Sequence, residues 1–480
     1  MRVADFGAED DQKVRMNRIA HILFFGALLL TIVWQVAMSP ALFTYHHGFV
    51  SADVSIAART FARSGILPLG GVPVNNNSPV SKEDAYTHWP PLLPIVLSWV
   101  FRVLGPSEVS AHLLMLFIQI LTAGLIYLTG RDFLGSVGAA LSGFFWLTLP
   151  VVIHFGHLVV QQALCVLFVA ATVWLTPRRR LAAACCAFLA VASSWEALLM
   201  IPGFLLVAMR RRDCRPAALL VCCAAAIAAA AVSLLYGLRD PGLFADTFQT
   251  ALFRMGLSHS YSHSMLPHII EPYAPFGQIV STVLLNHLKM LGIFGFASLV
   301  LLLFSPPKGM LLFLAPLACP WLFWTVLMSN HVAAHDFEML LAAPAAAIAL
   351  AWTATRVRKA SVAIALLILT LAQPRILGTT GIDVPPDTLL GFAHDLRAST
   401  PSGSVIISPL ISVVPVWYSD RHVVRNISDE ESLQVVLPVV KKRFPDSPIY
   451  LAAPRELAGS FRKRSERSAI DRLVLYDLTH

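Results

Sequence analysis

Long apolar runs separated by short clusters of arginine and lysine are the feature that most limits what this chain can fold into. The run from Ile19 to Met38 is by itself long enough to cross a hydrocarbon core, which takes roughly 20 residues of helix. Similar runs recur as far as about residue 375. Of the 480 residues, 56% are hydrophobic and only 13% charged, against roughly 25% charged in an ordinary soluble domain. A water-soluble core could not hide this much apolar surface, so lipid is the expected solvent for most of the chain. The net charge of +8 makes no case for nucleic acid, because the basic residues sit in short runs between apolar segments. No small-residue cleavage site follows the first run convincingly, so it is expected to stay as a span and not to be removed as a signal peptide.

Placing every basic cluster on the cytoplasmic side predicts a path. Lys13, Arg15 and Arg18 precede the first span; Arg131, Arg178–Arg180, Arg210–Arg212 with Arg215, Lys308, and Arg356, Arg358 and Lys359 mark the later inner turns. The path has about eleven transmembrane helices. Span one covers about 19–41, an outer loop 42–108, span two 109–130, spans three and four 134–154 and 158–176, and a short hairpin 181–209. Span seven follows at about 216–236, an outer segment at 237–282, then spans at 283–304, 309–328, 338–355 and 360–374. The hairpin 181–209 is short for two crossings, which predicts tilted or broken helices meeting at Ser193-Ser194-Trp195-Glu196. In the first outer loop, VSADVSIAARTFARSG and PPLLPIVLSWVFRVLG read as helices lying along the surface.

The predicted organisation is thus a cytoplasmic segment, 1–18, an all-α polytopic membrane domain, 19–375, and a small soluble α/β domain, 376–480, on the outer side. In that tail DTLLGFAHDLRAS and ESLQVVLPVVKKRF read as helices, and SVIISP, PIYLAAP and RLVLYDL as short buried strands. It carries no phosphate loop and no dinucleotide fingerprint. Six of the seven cysteines lie inside apolar runs, and none falls in the tail, so neither disulfides nor a zinc motif are predicted.

Ionisable side chains are costly near lipid, which makes them functional candidates. On this path they gather on the outer side: Asp53; Asp84 with Tyr86 and His88; His154, His157, Gln161 and Gln162; Glu196; His259, His263, His268 and Glu271; and His331, His335, Asp336 and Glu338. Plainer readings stay open. Asp53, with Ser51, could cap the helix after it, Glu196 could be a solvated hairpin tip, and the histidines could be interfacial. The histidines lack the short repeated spacings of a metal site. No cofactor is assigned, and a divalent metal, though compatible with acids and imidazoles, is not predicted.

Three stretches in order, Asp53 opening DVSIAARTFARSG, then Thr87-His88-Trp89-Pro90-Pro91-Leu92, then Gly130-Arg131, resemble the GT-C superfamily of membrane glycosyltransferases. The nearest branch is that of bacterial protein mannosyltransferases and lipid A aminoarabinose transferases. The match continues more weakly through SSWEALLMIPGFLLVAMRRR and HDFEMLLAAPAAAIALAW. The resemblance implies transfer of a sugar from a polyprenyl-phosphate donor to a lipid, glycan or protein acceptor of the cell envelope. The setting it implies is the outer side of a bacterial inner membrane. It assigns Asp53 as general base or acceptor-orienting acid. Where many members have a second acid, at the tip of spans three and four, this chain has Gln161 and Gln162, which leaves Glu196, Asp84 or Asp336 as replacements. The expected site is therefore Asp53 and Glu196 as catalytic acids, with Asp84, His88, His157, Gln161, His331, His335 and Asp336 on the substrate. The rival class is a transporter or flippase, and a non-catalytic scaffold is a third.

Overall fold

The computed structural model describes residues 4–43, 47–81, 84–239, 241–255, 257, 261–263, 266–269, 276–304, 309–356, 386–410, 412–427, 429–454, 457–461, 468–470 and 473–479. Its first part is helical. Helix α1 (Ala4–Met38) is followed by α2 (Gly48–Ser64), α3 (Leu92–Leu104), α4 (Glu108–Thr148), α5 (Pro150–Phe155), α6 (Gln161–Leu175) and α7 (Arg180–Ser193). Then come α8 (Ile201–Arg210), α9 (Arg215–Arg239), α10 (Pro241–Arg254), α11 (Phe276–Phe304), α12 (Met310–Leu327), α13 (Ser329–Ala334) and α14 (Ala343–Arg356). Among the described residues four helices are long and apolar enough to cross a membrane: Val14–Met38, Glu108–Thr148, Arg215–Arg239 and Phe276–Leu302. Shorter apolar helices, among them Gln161–Leu175, Arg180–Ser193 and Leu312–Leu327, pack between them. The outward faces are greasy: Ile22, Phe25, Leu29, Leu30 and Val33 of α1 are all exposed, as a lipid-facing stripe requires.

Several boundaries differ from the sequence reading. Expected spans two and three join in α4, which breaks at Gly135 (φ 71°). The break turns the second limb back on the first. A Cβ on Gly130 would lie 2.4 Å from Ser142 Oγ, so the Gly130-Arg131 pair supplies the small residue at this crossing. The expected span at 338–355 starts as a 3₁₀ turn, Asp336–Leu341, before α14. The outer segment 237–282 carries the amphipathic α10 and a hairpin of β1 (Tyr261–His263) and β2 (Leu266–Ile269). The short hairpin 181–209 is α7, a 3₁₀ turn at Trp195–Met200, and α8, so the chain breaks at the predicted serine pair. The expected span at 360–374 lies outside the described residues.

Helix α2 buries Val54, Ala57, Ala58 and Phe61, the spacing read from sequence. Helix α3 has 13 residues, too short to span. It buries Leu93, Leu97 and Phe101 but exposes Trp99, Val103 and Leu104. Apolar on both sides, it is built to lie between the protein and a lipid surface.

The C-terminal residues form a five-stranded sheet in the order β4 (His422–Val424), β3 (Val405–Ile407), β5 (Ile449–Pro454), β7 (Leu473–Asp477), β6 (Ser468–Ile470). The first three run parallel, and β7 and β6 pair antiparallel. Helix Glu430–Arg443 covers one face through Leu433, Val436 and Val440. On the other face Phe392, Leu396, Val416 and Trp417 share one core with Ile56, Leu93, Leu97 and Phe101 of α2 and α3. Sequence reading missed β4, β6 and the helix Val414–Ser419, all short.

Polar contacts complete this joint. Arg59 of α2 is buried beneath the tail, with its guanidinium 4.2 Å from the centre of the Trp417 ring. It donates to the Trp417 and Val416 carbonyls at 2.9 and 3.3 Å and to Asn77 Oδ1 at 2.9 Å. Burial pushes its pKa down to about 10 despite the Asp420 carboxylate. The amide side chain of Asn76 donates to the Val423 carbonyl at 3.1 Å and accepts from the Val423 N–H at 2.9 Å.

Candidate active site

Helix α2 carries Asp53 to the junction of loop and tail. The helix begins abruptly: His47 is left-handed (φ 60°), and a Cβ on Gly48 would fall 2.7 Å from the Phe43 carbonyl. Ser51 and Asp53 therefore lie inside the helix, and the capping reading of Asp53 is set aside. Ser51 Oγ instead accepts from the Val159 N–H at 3.0 Å. The Asp53 carboxylate bonds to Asn75 and Tyr86 and faces Arg425 of the tail. Its Oδ1 is buried with no hydrogen-bond partner among the described residues. Burial raises its pKa from the ordinary 3.8 to about 6, outweighing the pull of Arg425, Asn75 and Tyr86.

The His-Trp-Pro-Pro segment continues from Tyr86, whose ring lies 4.8 Å from that of His88. Helices α9 and α10 hold it in place. Tyr236 donates to the Trp89 carbonyl at 2.6 Å, and Thr247 donates to Thr87 Oγ1 at 2.9 Å. His88 Nε2 is 3.2 Å from Thr250 Oγ1. Arg254 stacks over Trp89 at 4.9 Å, and the rings of Trp324 and His331 lie 6.2 and 6.1 Å from it.

A second acidic group lies beyond Trp89. Glu196 and Glu338 are both fully buried. The side-chain amide of Gln162 donates to both, at 2.6 and 2.9 Å. Ser194 donates to the other oxygen of Glu196, and His331 Nε2 sits 3.1 Å from Glu338 Oε1. Glu338 Oε2 has no partner among the described residues. The Arg254 guanidinium is the positive charge that both carboxylates face. Rings continue the cluster outward: His331 to His335 at 4.4 Å, and His335 to His47 at 5.4 Å. His47 Nε2 closes it with Asp336 Oδ1 at 2.9 Å.

The chain thus brings Glu196, His331, His335 and Asp336 into one connected group, and reaches Asp53 and His88 through Trp89 and Tyr86. Three expected substrate residues are placed otherwise. Asp84 is bound to its own loop: Ser81 N–H and Oγ donate to it at 2.8 and 2.7 Å, Asn76 at 3.0 Å, and His422 of the tail is 3.6 Å away. His157 packs against His112, and burial with the neighbouring His112 and His154 pushes its pKa down to about 4, so it is neutral at pH 7. Gln161 is buried beside Gln162 but makes no bond to either acid, its Oε1 lacking a partner among the described residues. The side chains of His259, His263, His268 and Glu271 lie outside the described residues. Among the described residues no group of three or more His, Cys, Asp or Glu is arranged to hold a metal ion.

His47 and Arg254 were not singled out from sequence, and Gln162 and Glu338 were named among the outer polar residues but given no place in the expected site. On the predicted path Arg254 falls in an outer segment, but so do Arg59, Arg63, Arg102 and Arg239, so the basic-residue bias does not mark it. Nothing local marks Gln162 above Gln161, since which of the two points inward depends on the phase of α6.

By sequence, no protein-family model and no curated protein matches the chain. By structure it is similar to ArnT, a lipid A aminoarabinose transferase from Cupriavidus metallidurans bound to undecaprenyl phosphate. That likeness has a TM-score of 0.69 at 12% identity over 95% of this chain and 97% of that one. It is also similar to the archaeal oligosaccharyltransferase AglB from Archaeoglobus fulgidus, in complex with an inhibitory peptide and a dolichol-phosphate. There the TM-score is 0.54 at 12% identity, over 90% of this chain and 69% of that one. The apo form of the A. fulgidus oligosaccharyltransferase gives a TM-score of 0.55 at 14% identity, covering 92% and 70%. With the apolar helices, the surface helices and the buried acids at one end of the bundle, these likenesses show that the chain has the fold of the GT-C membrane glycosyltransferases.

Proposed function

We propose that this protein transfers a sugar from a polyprenyl-phosphate donor to a cell-envelope acceptor, at the outer face of a bacterial inner membrane. The reading includes about eleven spans, residues 1–18 in the cytoplasm and residues 376–480 outside. The observation that carries it is Asp53: a buried carboxylate with one unpaired oxygen, close to proton-transfer range at neutral pH, beside an arginine-bearing cluster. In the reaction Asp53 accepts the proton of the acceptor hydroxyl as that oxygen bonds to the anomeric carbon. The bond from that carbon to the phosphate oxygen breaks, and the electron pair leaves with the polyprenyl phosphate. Arg254 and His88 are placed to stabilise charge on the departing phosphate. Glu196 and Glu338, tied together by Gln162, hold sugar hydroxyls and orient His331.

The test is purified protein in bilayers with radiolabelled polyprenyl-phosphate sugars, reading sugar transfer to extracted envelope lipids. A transporter or flippase leaves the sugar–phosphate bond intact, so release of polyprenyl phosphate separates the two. The rate should fall on the acid side with a midpoint near pH 6, because below it Asp53 is protonated and cannot accept a proton. A flat profile from pH 5 to 7.5 would remove Asp53 as the base. Glu338→Gln keeps the size of the side chain but removes its carboxyl from the pair. It should lower kcat/KM about 10–100-fold with little change in the acid limb. A variant with wild-type kcat/KM would show that the pair only shapes the core.

A further inference from the structure

Three consecutive asparagines in the first outer loop, Asn75, Asn76 and Asn77, are all buried. A buried amide is costly unless its hydrogen bonds are made, so three in a row mark something that the loop holds. What they hold is strand β4 and the turn before it. The Asn77 amide donates to the Val416 carbonyl at 2.6 Å and to the Arg421 carbonyl at 3.0 Å. Asn76 makes its paired bonds further along the strand, to the N–H and the carbonyl of Val423. Asn75 comes next, and it bonds to the Asp53 carboxylate. Each step back along the loop is thus two residues forward along the strand, from 421 to 423 to 425.

Alternate residues of a strand share a face. Val423 turns into the core that the tail shares with Ile56 of α2. Two residues on, Arg425 faces Asp53 of the same helix. The backbone of Arg425 is fixed from both sides. Before it lie the bonds of Asn76 and the pairing of Val424 with Ile407 of β3. After it Asn426 is left-handed (φ 63°), and its N–H donates to the Leu410 carbonyl at 3.1 Å. The Ile427 N–H then donates to the Ser408 carbonyl at 3.1 Å. Among the described residues, the charged or titratable groups that face Asp53 are Arg425 from the tail and Tyr86 from the loop. Tyr86 offers a hydroxyl, and Arg425 a full positive charge.

We propose that Arg425 is a positioning residue of the transfer site: the docked tail sets its guanidinium against Asp53 and holds that carboxylate in the ionised form that accepts a proton. The inference rests on the reading of Asp53 as the base, and it makes the C-terminal residues part of the reaction.

The test compares Arg425→Gln and Arg425→Lys with the wild type, as full chains in bilayers. Loss of the positive charge favours the protonated carboxyl, so the midpoint of the acid limb in Arg425→Gln should move up by roughly 1 pH unit. At pH 6, the wild-type midpoint, the ionised fraction and the rate with it should then drop about fivefold. Arg425→Lys should bring the midpoint most of the way back. A second measurement needs no turnover. The melting-temperature advantage of Asp53→Asn grows with pH until the folded carboxyl is fully ionised. In the Arg425→Gln background it should therefore level off at a higher pH. The tail should stay resistant to protease in both variants, because the contacts of Arg59 and the asparagines remain. Loss of that resistance in Arg425→Gln would make Arg425 a structural contact and overturn the proposal. So would a levelling-off pH that does not move, or that moves as far in Arg425→Lys. If the wild type transfers no sugar, the proposed reaction fails, while the melting series still decides whether Arg425 governs the charge of Asp53.

Discussion

Asp53→Asn should reduce sugar transfer by about 10²–10⁴-fold, the range that a positioned general base contributes, while the protein still folds. The two halves of that result come from one environment. Burial raises the carboxyl from 3.8 to about 6 in the folded chain. Between those values the folded state binds more protons than the unfolded one, so stability falls as pH rises through the window. At neutral pH the ionised side chain is therefore a burden on the fold, and an isosteric amide removes it. The melting temperature of Asp53→Asn at pH 7 should match or exceed that of the wild type, and the advantage should vanish below pH 4. Asn75 and Tyr86 keep a partner in the amide oxygen. Undiminished transfer in this variant would end the assignment of Asp53 as base. Lost transfer accompanied by a lower melting temperature would make the residue a structural one.

The largest effect on stability is expected at Arg59. Its guanidinium is shared by the Trp417 and Val416 carbonyls, Asn77 and the Trp417 ring, and Asp420 is 3.7 Å away. Truncation to alanine takes the donor from the Trp417 carbonyl and from Asn77 Oδ1, leaves the Val416 carbonyl to the Asn77 amide alone, and opens a gap under Trp417. Breaking a buried charged network of this kind costs about 3–5 kcal/mol. Arg59→Ala should thus free the C-terminal residues from α2 and α3, seen as rapid proteolysis after residue 386 at temperatures where the wild type is resistant. Arg59→Lys should rescue little, because one ammonium cannot reach three acceptors and cover an indole face together. Wild-type resistance in Arg59→Ala would mean that the shared apolar core alone holds the tail. Because Arg425 of that tail faces Asp53, loosening it should also lower the rate.

Elements with strong periodicity were legible in the sequence. The stripe Val54, Ala57, Ala58, Phe61 gave α2, and the arginines at both ends of 181–209 required the break that occurs at Ser193–Ser194. The main strands of the tail announced themselves as apolar runs between turn residues. What could not be read was convergence. Gln162, Glu196 and Glu338 lie far apart in the chain, and their meeting depends on helix rotation that hydropathy does not report. Asp84 misled because a carboxylate near a His-Trp-Pro-Pro segment has the same local signature whether it meets substrate or ties its own loop, as it does with Ser81 and Asn76. The reversal between spans two and three was marked by Arg131 and falls close by, at Gly135, but the near contact of Ser142 with Gly130 could not be read.

The paired bonds between the Asn76 amide and Val423 have a consequence for assembly. Strand β4 ends the sheet, and a bare sheet margin recruits other chains. Here a single carboxamide occupies the hydrogen-bonding slot that an intruding strand would use. That plug comes from the loop between α2 and α3, more than three hundred residues earlier in the chain. Until loop and tail meet on one side of the bilayer, the newly made sheet stays adhesive, so the order of insertion and docking decides whether the protein matures or aggregates.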